Sequence, residues 1–165
     1  MVGKPWLLAT TVALCALVGL PAAAVDVGDI APGFELTGRT TPIKLGDYKG
    51  QTIYLDFWAS WCGPCKQSFP WMNMLQARYA AHGLRVVAVN VDKKAEDANA
   101  FLRGNPASFD VAFDAVGRTP KSYAILSMPT SVLIGPDGKV LQVHRGFREA
   151  ERTQREQDIK QALHL

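Results

Sequence analysis

This sequence predicts an α/β fold: a mixed central sheet with helices on both faces and a small β-hairpin added at its N-terminal side. Three observations lead there. An apolar, β-branched run from Thr52 to Trp58 is followed by a short turn and then by Cys62-Gly63-Pro64-Cys65 at the head of a helical pattern. Further apolar runs, Leu84 to Val91 and Phe109 to Phe113, alternate with helical stretches, as strands and crossover helices do. Two strand-like runs around Gly135-Pro136-Asp137-Gly138 and a polar helical stretch then close the chain.

Taken in order, Gly33 to Leu36 and Ile43 to Leu45 flank a turn region at Gly38 and read as a hairpin. Asp47 to Gln51 turns into the central strand, Thr52 to Trp58, which is nearly all apolar because a strand covered on both faces has no solvent side. A helix is expected from about Cys62 to Ala81, kinked near Pro70, with Phe69, Met72, Met74, Leu75 and Tyr79 facing the core. His82, read as a surface residue, and Gly83 end it, glycine suiting the left-handed position past a helix. Lys94 to Leu102 reads as a short helix and Arg103 to Ala107 as a loop. Another helix begins near Thr119, with Pro120 in its first turn, and Tyr123 is expected beneath the loop that follows. His144 falls on an exposed strand face by alternation, and the charges of the closing helix, Arg148 to Leu163, read as a solvated surface.

The cysteine pair carries the chemistry. Strand, turn, Cys62 and helix is the context in which a Cys-x-x-Cys pair cycles between dithiol and disulfide. Cys62 lies at the helix N-terminus, where unpaired N–H groups and the macrodipole favour a thiolate. Cys65 follows one turn later on the same face, within bridging reach. Pro64 is tolerated in the first turn because its missing N–H would have had no partner. A zinc site needs two more ligands, and Cys15, His82, His144 and His164 are unpaired in sequence. Covalent haem attachment needs His after the second cysteine, where this chain has Lys66. No metal and no cofactor beyond the Cys62–Cys65 disulfide is therefore expected. A copper-handling or chaperone-like binding protein using the same soft thiolates is the alternative from another class. Asp56 stands out as an acid inside the apolar strand: either a strand-end carboxylate that reaches water or a proton acceptor for Cys65.

The segment Asp56-Phe57-Trp58-Ala59-Ser60-Trp61-Cys62-Gly63-Pro64-Cys65 resembles the active site of thioredoxins, and Met128-Pro129-Thr130 resembles the loop that carries their cis-proline. Leu45 to Gly50, Val86 to Asp92 and Ile134 to Val140 are more similar to the TlpA/ResA branch of secreted thioredoxin-like reductases, and the resemblance runs from about Asp29 to the C-terminus. It implies a thioredoxin-like fold and a thiol-disulfide oxidoreductase. Cys62 would attack, Cys65 would resolve, and Asp56 would take the proton of Cys65. Trp61, Gly63, Pro64, Met128 and a cis Pro129 would hold the partner. The Gly63-Pro64 pair resembles that of reducing thioredoxins, whereas strong exported oxidants typically carry His there, so reduction is expected ahead of oxidation or isomerisation. The implied partners are disulfide-containing exported proteins and a membrane-bound thiol electron donor, as in cytochrome c or metal-site maturation. This chain departs from the branch at Ser68, where many members have Glu, and at Asp56, where many have Asn. The position at which thioredoxins often place a Lys partner for the acid is Ala88 here.

The chain of 165 residues suffices for one domain with a real core, and its net charge of +3 comes from scattered basic residues, which argues against nucleic acid as a partner. A monomer is expected. Residues 1–24 read as a signal peptide: Lys4, then an apolar run from Trp6 to Leu20, the helix-breaking Pro21 and an Ala22-Ala23-Ala24 cleavage site. An uncleaved anchor is the alternative, since Pro5 to Val25 almost spans a bilayer. Residues 25–165 would then be a thioredoxin-like domain in the periplasm. Cys15 would leave with the leader, so the exported domain would keep only Cys62 and Cys65.

Overall fold

A computed structural model describes residues 25–165; the expected leader and Cys15 lie outside the described residues. The strands are β1 (Glu35–Gly38), β2 (Ile43–Lys44), β3 (Thr52–Trp58), β4 (Leu84–Asn90), β5 (Asp110–Phe113), β6 (Thr130–Ile134) and β7 (Val140–Arg145). The helices are α1 (Gly63–Tyr79), α2 (Ala95–Gly104), α3 (Arg118–Ser122) and α4 (Arg152–Ala162). One sheet orders the strands β2-β1-β5-β4-β3-β6-β7. β3, β4 and β5 run parallel, and β6, β7, β1 and β2 join antiparallel, so the sheet is mixed as expected.

Every residue of β3 is buried, which explains its continuous apolar run. Alternate side chains enter two cores. Tyr54 and Trp58 join Phe69, Trp71, Met72 and Leu75 of α1, Ala98 of α2 and Ile159 of α4. Ile53, Leu55 and Phe57 join Val25, Ala31, Ile43 and Tyr123 on the opposite face. Three helices therefore cover one face, while the lead-in segment, the hairpin and the end of α3 cover the other. Gly38 turns the hairpin where the Thr41 carbonyl would collide with any Cβ. Gly83, at φ +91°, closes the turn after α1 in the left-handed region that glycine tolerates.

Four expectations shift. Cys62 caps α1 rather than beginning it. The second helix runs Ala95–Gly104, taking in residues expected to be loop. Tyr123 packs on Phe57, with ring centroids 5.4 Å apart, and donates its hydroxyl to the Pro32 carbonyl at 2.8 Å, so it lies against the sheet and lead-in segment. His144 is half-buried beneath α4, with its Nε2 3.6 Å from Asp158, because α4 covers the strand face that alternation alone would leave open.

Candidate active site

β3 delivers the chain to a turn in which the Cys62 amide donates to the Ala59 carbonyl at 3.1 Å. Cys62 is the N-cap of α1, with extended backbone (φ −87°, ψ 104°), and its sulfur accepts the Cys65 amide at 3.2 Å. Pro64 occupies the first turn. The two sulfurs are joined in a disulfide, with Cα atoms 5.3 Å apart. Cys65 is fully buried and Cys62 keeps 4 % exposure, so Cys62 is the residue of the pair that retains contact with the outside. A thiolate at Cys62 would receive that amide hydrogen bond and the positive end of the α1 dipole. Ser68 is buried and donates its hydroxyl to the Cys65 carbonyl at 3.0 Å.

The Met128-Pro129 peptide bond is cis. Thr130 pairs with Phe57 in the β3–β6 ladder, so Pro129 sits at the end of the sheet from which β3 leads into Cys62. Met128 packs against the core that contains both cysteines. Trp61 is 72 % exposed immediately before Cys62, and Leu126 is 92 % exposed two residues before Met128. Two large apolar side chains thus stand in water on the segments that flank the disulfide.

Asp56 lies beneath, 2 % exposed, in register with Ala88 on one side and Ser131 on the other. Its Oδ2 is buried without a hydrogen-bond partner. Burial pushes its carboxyl well above the usual carboxylate range, and the positive charge of Arg155 opposes that rise. Two expectations are corrected here. A positive charge, that of Arg155, does act on Asp56, although Ala88 supplies none, and the charges of α4 are not all solvated. Arg155 is only 3 % exposed because it is drawn inward by Glu151 (2.7 Å), the Gly146 carbonyl (2.8 Å) and the ring of Phe147 (5.7 Å).

A second buried acid holds the turn. Asp92 accepts the Ser60 amide at 2.9 Å, the Ser60 hydroxyl at 3.0 Å and the Asn90 amide group at 2.8 Å. These bonds fix Ala59 to Cys62 against the end of β4. Sequence reading assigned Asp92 and Ser60 no role; the available signal was an Asn-x-Asp at the end of a strand otherwise too apolar to carry them. Among the described residues no group of three or more His, Cys, Asp or Glu could hold a metal ion, and no helix is long and apolar enough to cross a membrane.

The Redoxin family model matches residues 26–163. The chain belongs to the Redoxin family. Thiol-disulfide oxidoreductase ResA of Bacillus cereus (strain ATCC 10987 / NRS 248) is 35% identical over 128 residues, covering 77% of this chain and 74% of that protein. ResA of Bacillus subtilis (strain 168) is 34% identical over 124 residues, covering 74% and 69%. A crystal structure from Chlorobium tepidum, assigned as a thiol:disulfide interchange protein DsbE, superposes with a TM-score of 0.84 at 56% identity, covering 85% of this chain and 99% of that one. This Redoxin chain is accordingly a thiol-disulfide oxidoreductase of the ResA/DsbE kind, with Cys62 and Cys65 as its pair, on a thioredoxin-like fold.

Proposed function

We propose that this protein is exported to the periplasm, with residues 1–24 as its leader, and there reduces disulfides in other exported proteins. The observation that carries the reading is the Cys62–Cys65 disulfide at the N-terminus of α1, with Gly63-Pro64 between the sulfurs and cis Pro129 at the same end of the sheet. In the reduced protein, the Cys62 thiolate attacks one sulfur of a partner disulfide; that S–S bond breaks and the partner's other sulfur leaves as a thiolate that takes a proton. Asp56 accepts the proton of Cys65. The Cys65 thiolate then attacks Cys62 Sγ, the mixed disulfide breaks, and the second partner sulfur leaves and is protonated. Two electrons pass to the partner, and the protein is left in the oxidised form described above. A membrane-bound thiol donor returns the two electrons.

Trp61, Leu126, Met128 and Pro129 are the docking residues in this reading, with Gly63 and Pro64 leaving the approach to Cys62 free of bulky side chains. The names of the ResA and DsbE relatives support a disulfide substrate; a role in cytochrome c or metal-site maturation is part of the same proposal. The test is a Cys65→Ser chain expressed in its own cell. Mixed disulfides to exported proteins through Cys62 are expected. Their absence, or their accumulation only in Cys62→Ser, would overturn the assignment.

A further inference from the structure

Arg155 is unusual in a helix as polar as α4. It and Ile159, one turn on, are the two residues that α4 buries. A guanidinium in a core is costly unless its charge has a use or a partner. Nη2 holds two acceptors, Glu151 Oε2 at 2.7 Å and the Gly146 carbonyl at 2.8 Å, while Nε is buried with no hydrogen-bond partner. The Gly146 amide donates in turn to the Pro129 carbonyl at 2.8 Å, which ties Arg155 to the cis-proline loop through one residue.

The same guanidinium packs on the face of the sheet that holds the buried acid. It lies over Phe147; Phe147 packs on Trp71 at 5.6 Å, and Trp71 meets Tyr54 edge-on at 5.6 Å. Tyr54 is two residues from Asp56 on the same face of β3, and its hydroxyl pairs with Ser131 at 2.7 Å, the residue directly beside Asp56 in the sheet. The Asp56 Oδ2 and the Arg155 Nε are both buried without hydrogen-bond partners, as are the Arg152 Nε and the indole nitrogens of Trp58 and Trp71. The other charged or titratable groups around Asp56 are few. β3 gives Tyr54, whose hydroxyl is pushed up to about 12 by burial and the nearby carboxyl, and α1 gives Cys65. β4 gives only Ala88. β7 gives His144, which burial and Arg155 hold below the usual imidazole range, and the C-terminal segment gives Glu151 and Asp158. α4 also gives Arg152, 5.5 Å from the Phe147 ring but a third exposed and paired with Glu149, so Arg155 is the buried permanent cation in this set.

We propose that Arg155 is the positive counter-charge of Asp56: a positioning residue that keeps the carboxyl able to ionise and so to take up the proton of Cys65, while its bond to Gly146 steadies the Pro129 loop. This rests on the reading that Asp56 handles the Cys65 proton. α4 then supplies in this chain the charge that β4, with Ala88, does not.

The test follows Cys65 labelling by iodoacetamide from pH 5 to 10 in the reduced full chain carrying Cys62→Ser, read by peptide mass mapping. Arg155→Met in that background should move the labelling midpoint up by about one pH unit, the scale of an opposite charge lost near a buried group. Arg155→Lys keeps the charge and should stay near the parent. Adding Asp56→Asn should remove most of the Arg155→Met shift. An unmoved midpoint in a folded Arg155→Met protein would overturn the proposal and leave Arg155 as a structural tie. If Arg155→Met does not fold, Glu151→Gln decides: stripping the anion from Arg155 should lower the midpoint, and an unchanged one overturns the proposal. Should Asp56→Asn alone leave the labelling profile unchanged, the reading of Asp56 fails and the counter-charge role falls with it. Should Asp56→Asn shift the profile while Arg155→Met does not, only the role of Arg155 falls.

Discussion

Asp56→Asn in the oxidised protein should make the fold more stable at pH 8 and not at pH 4. In that form the cysteines are joined and do not titrate, so the acid is seen alone. Its proton is bound more tightly in the folded chain than in the unfolded one, because burial disfavours the anion more than Arg155 restores it. Below the ordinary carboxylate range both states hold the proton and no penalty exists. As pH rises, the unfolded chain gives up its proton first, and stability falls until pH passes the raised folded-state value. An ion buried at 2 % exposure carries an effective penalty of several kcal/mol, of which Arg155 offsets part. An amide in the same place leaves donors unpaired at a cost of about 1–3 kcal/mol. The difference favours Asn by about 1–3 kcal/mol at pH 8, or roughly 3–9 °C in Tm for a domain of this size. At pH 4 it should vanish or reverse. Differential scanning calorimetry of both proteins across pH 4–8 reads this directly. A difference that does not change with pH would mean that folding does not raise the Asp56 carboxyl above its unfolded value, and the proton-acceptor role would lose its basis.

Three further outcomes are expected. Limiting alkylation of the reduced protein near neutral pH should label Cys62 ahead of Cys65, because Cys62 caps α1 and keeps the residual exposure; peptide mapping that finds Cys65 labelled first would reverse the roles. Asp92→Ala should lower stability by about 2–4 kcal/mol, since it strips three hydrogen bonds from a buried turn, and should slow attack by Cys62; denaturant melts and stopped-flow kinetics check both halves. N-terminal sequencing of the protein from the exported fraction should begin just after Ala24, and an intact Met1 in the membrane fraction would mean an anchor.

The parts of the fold that sequence showed are those where local rules and burial agree. β3 reads as a doubly covered strand because it is one. The hairpin around Gly38 and the turn at Gly83 follow from glycines that only those geometries need. The cysteine pair is legible because the strand, turn and proline that surround it restrict its reading. What escaped depends on packing between distant segments. Arg155 looks like one of many charges on a polar helix, and its burial follows from Phe147, Gly146 and Glu151, which fold around it. His144 obeys strand alternation, but α4 lies over the face on which it stands. Asp92 sits just past β4, and only the turn at Ser60, 32 residues earlier, gives it a purpose.

The reduction potential of the Cys62–Cys65 couple tests the central claim most directly. Equilibration with dithiol buffers of graded potential, with the thiols trapped by acid and counted by mass, measures it. A protein that reduces exported partners should lie toward the thioredoxin end of the range, below about −200 mV. A value near −120 mV, that of strong periplasmic oxidants, would contradict the account and make this chain a donor of disulfides.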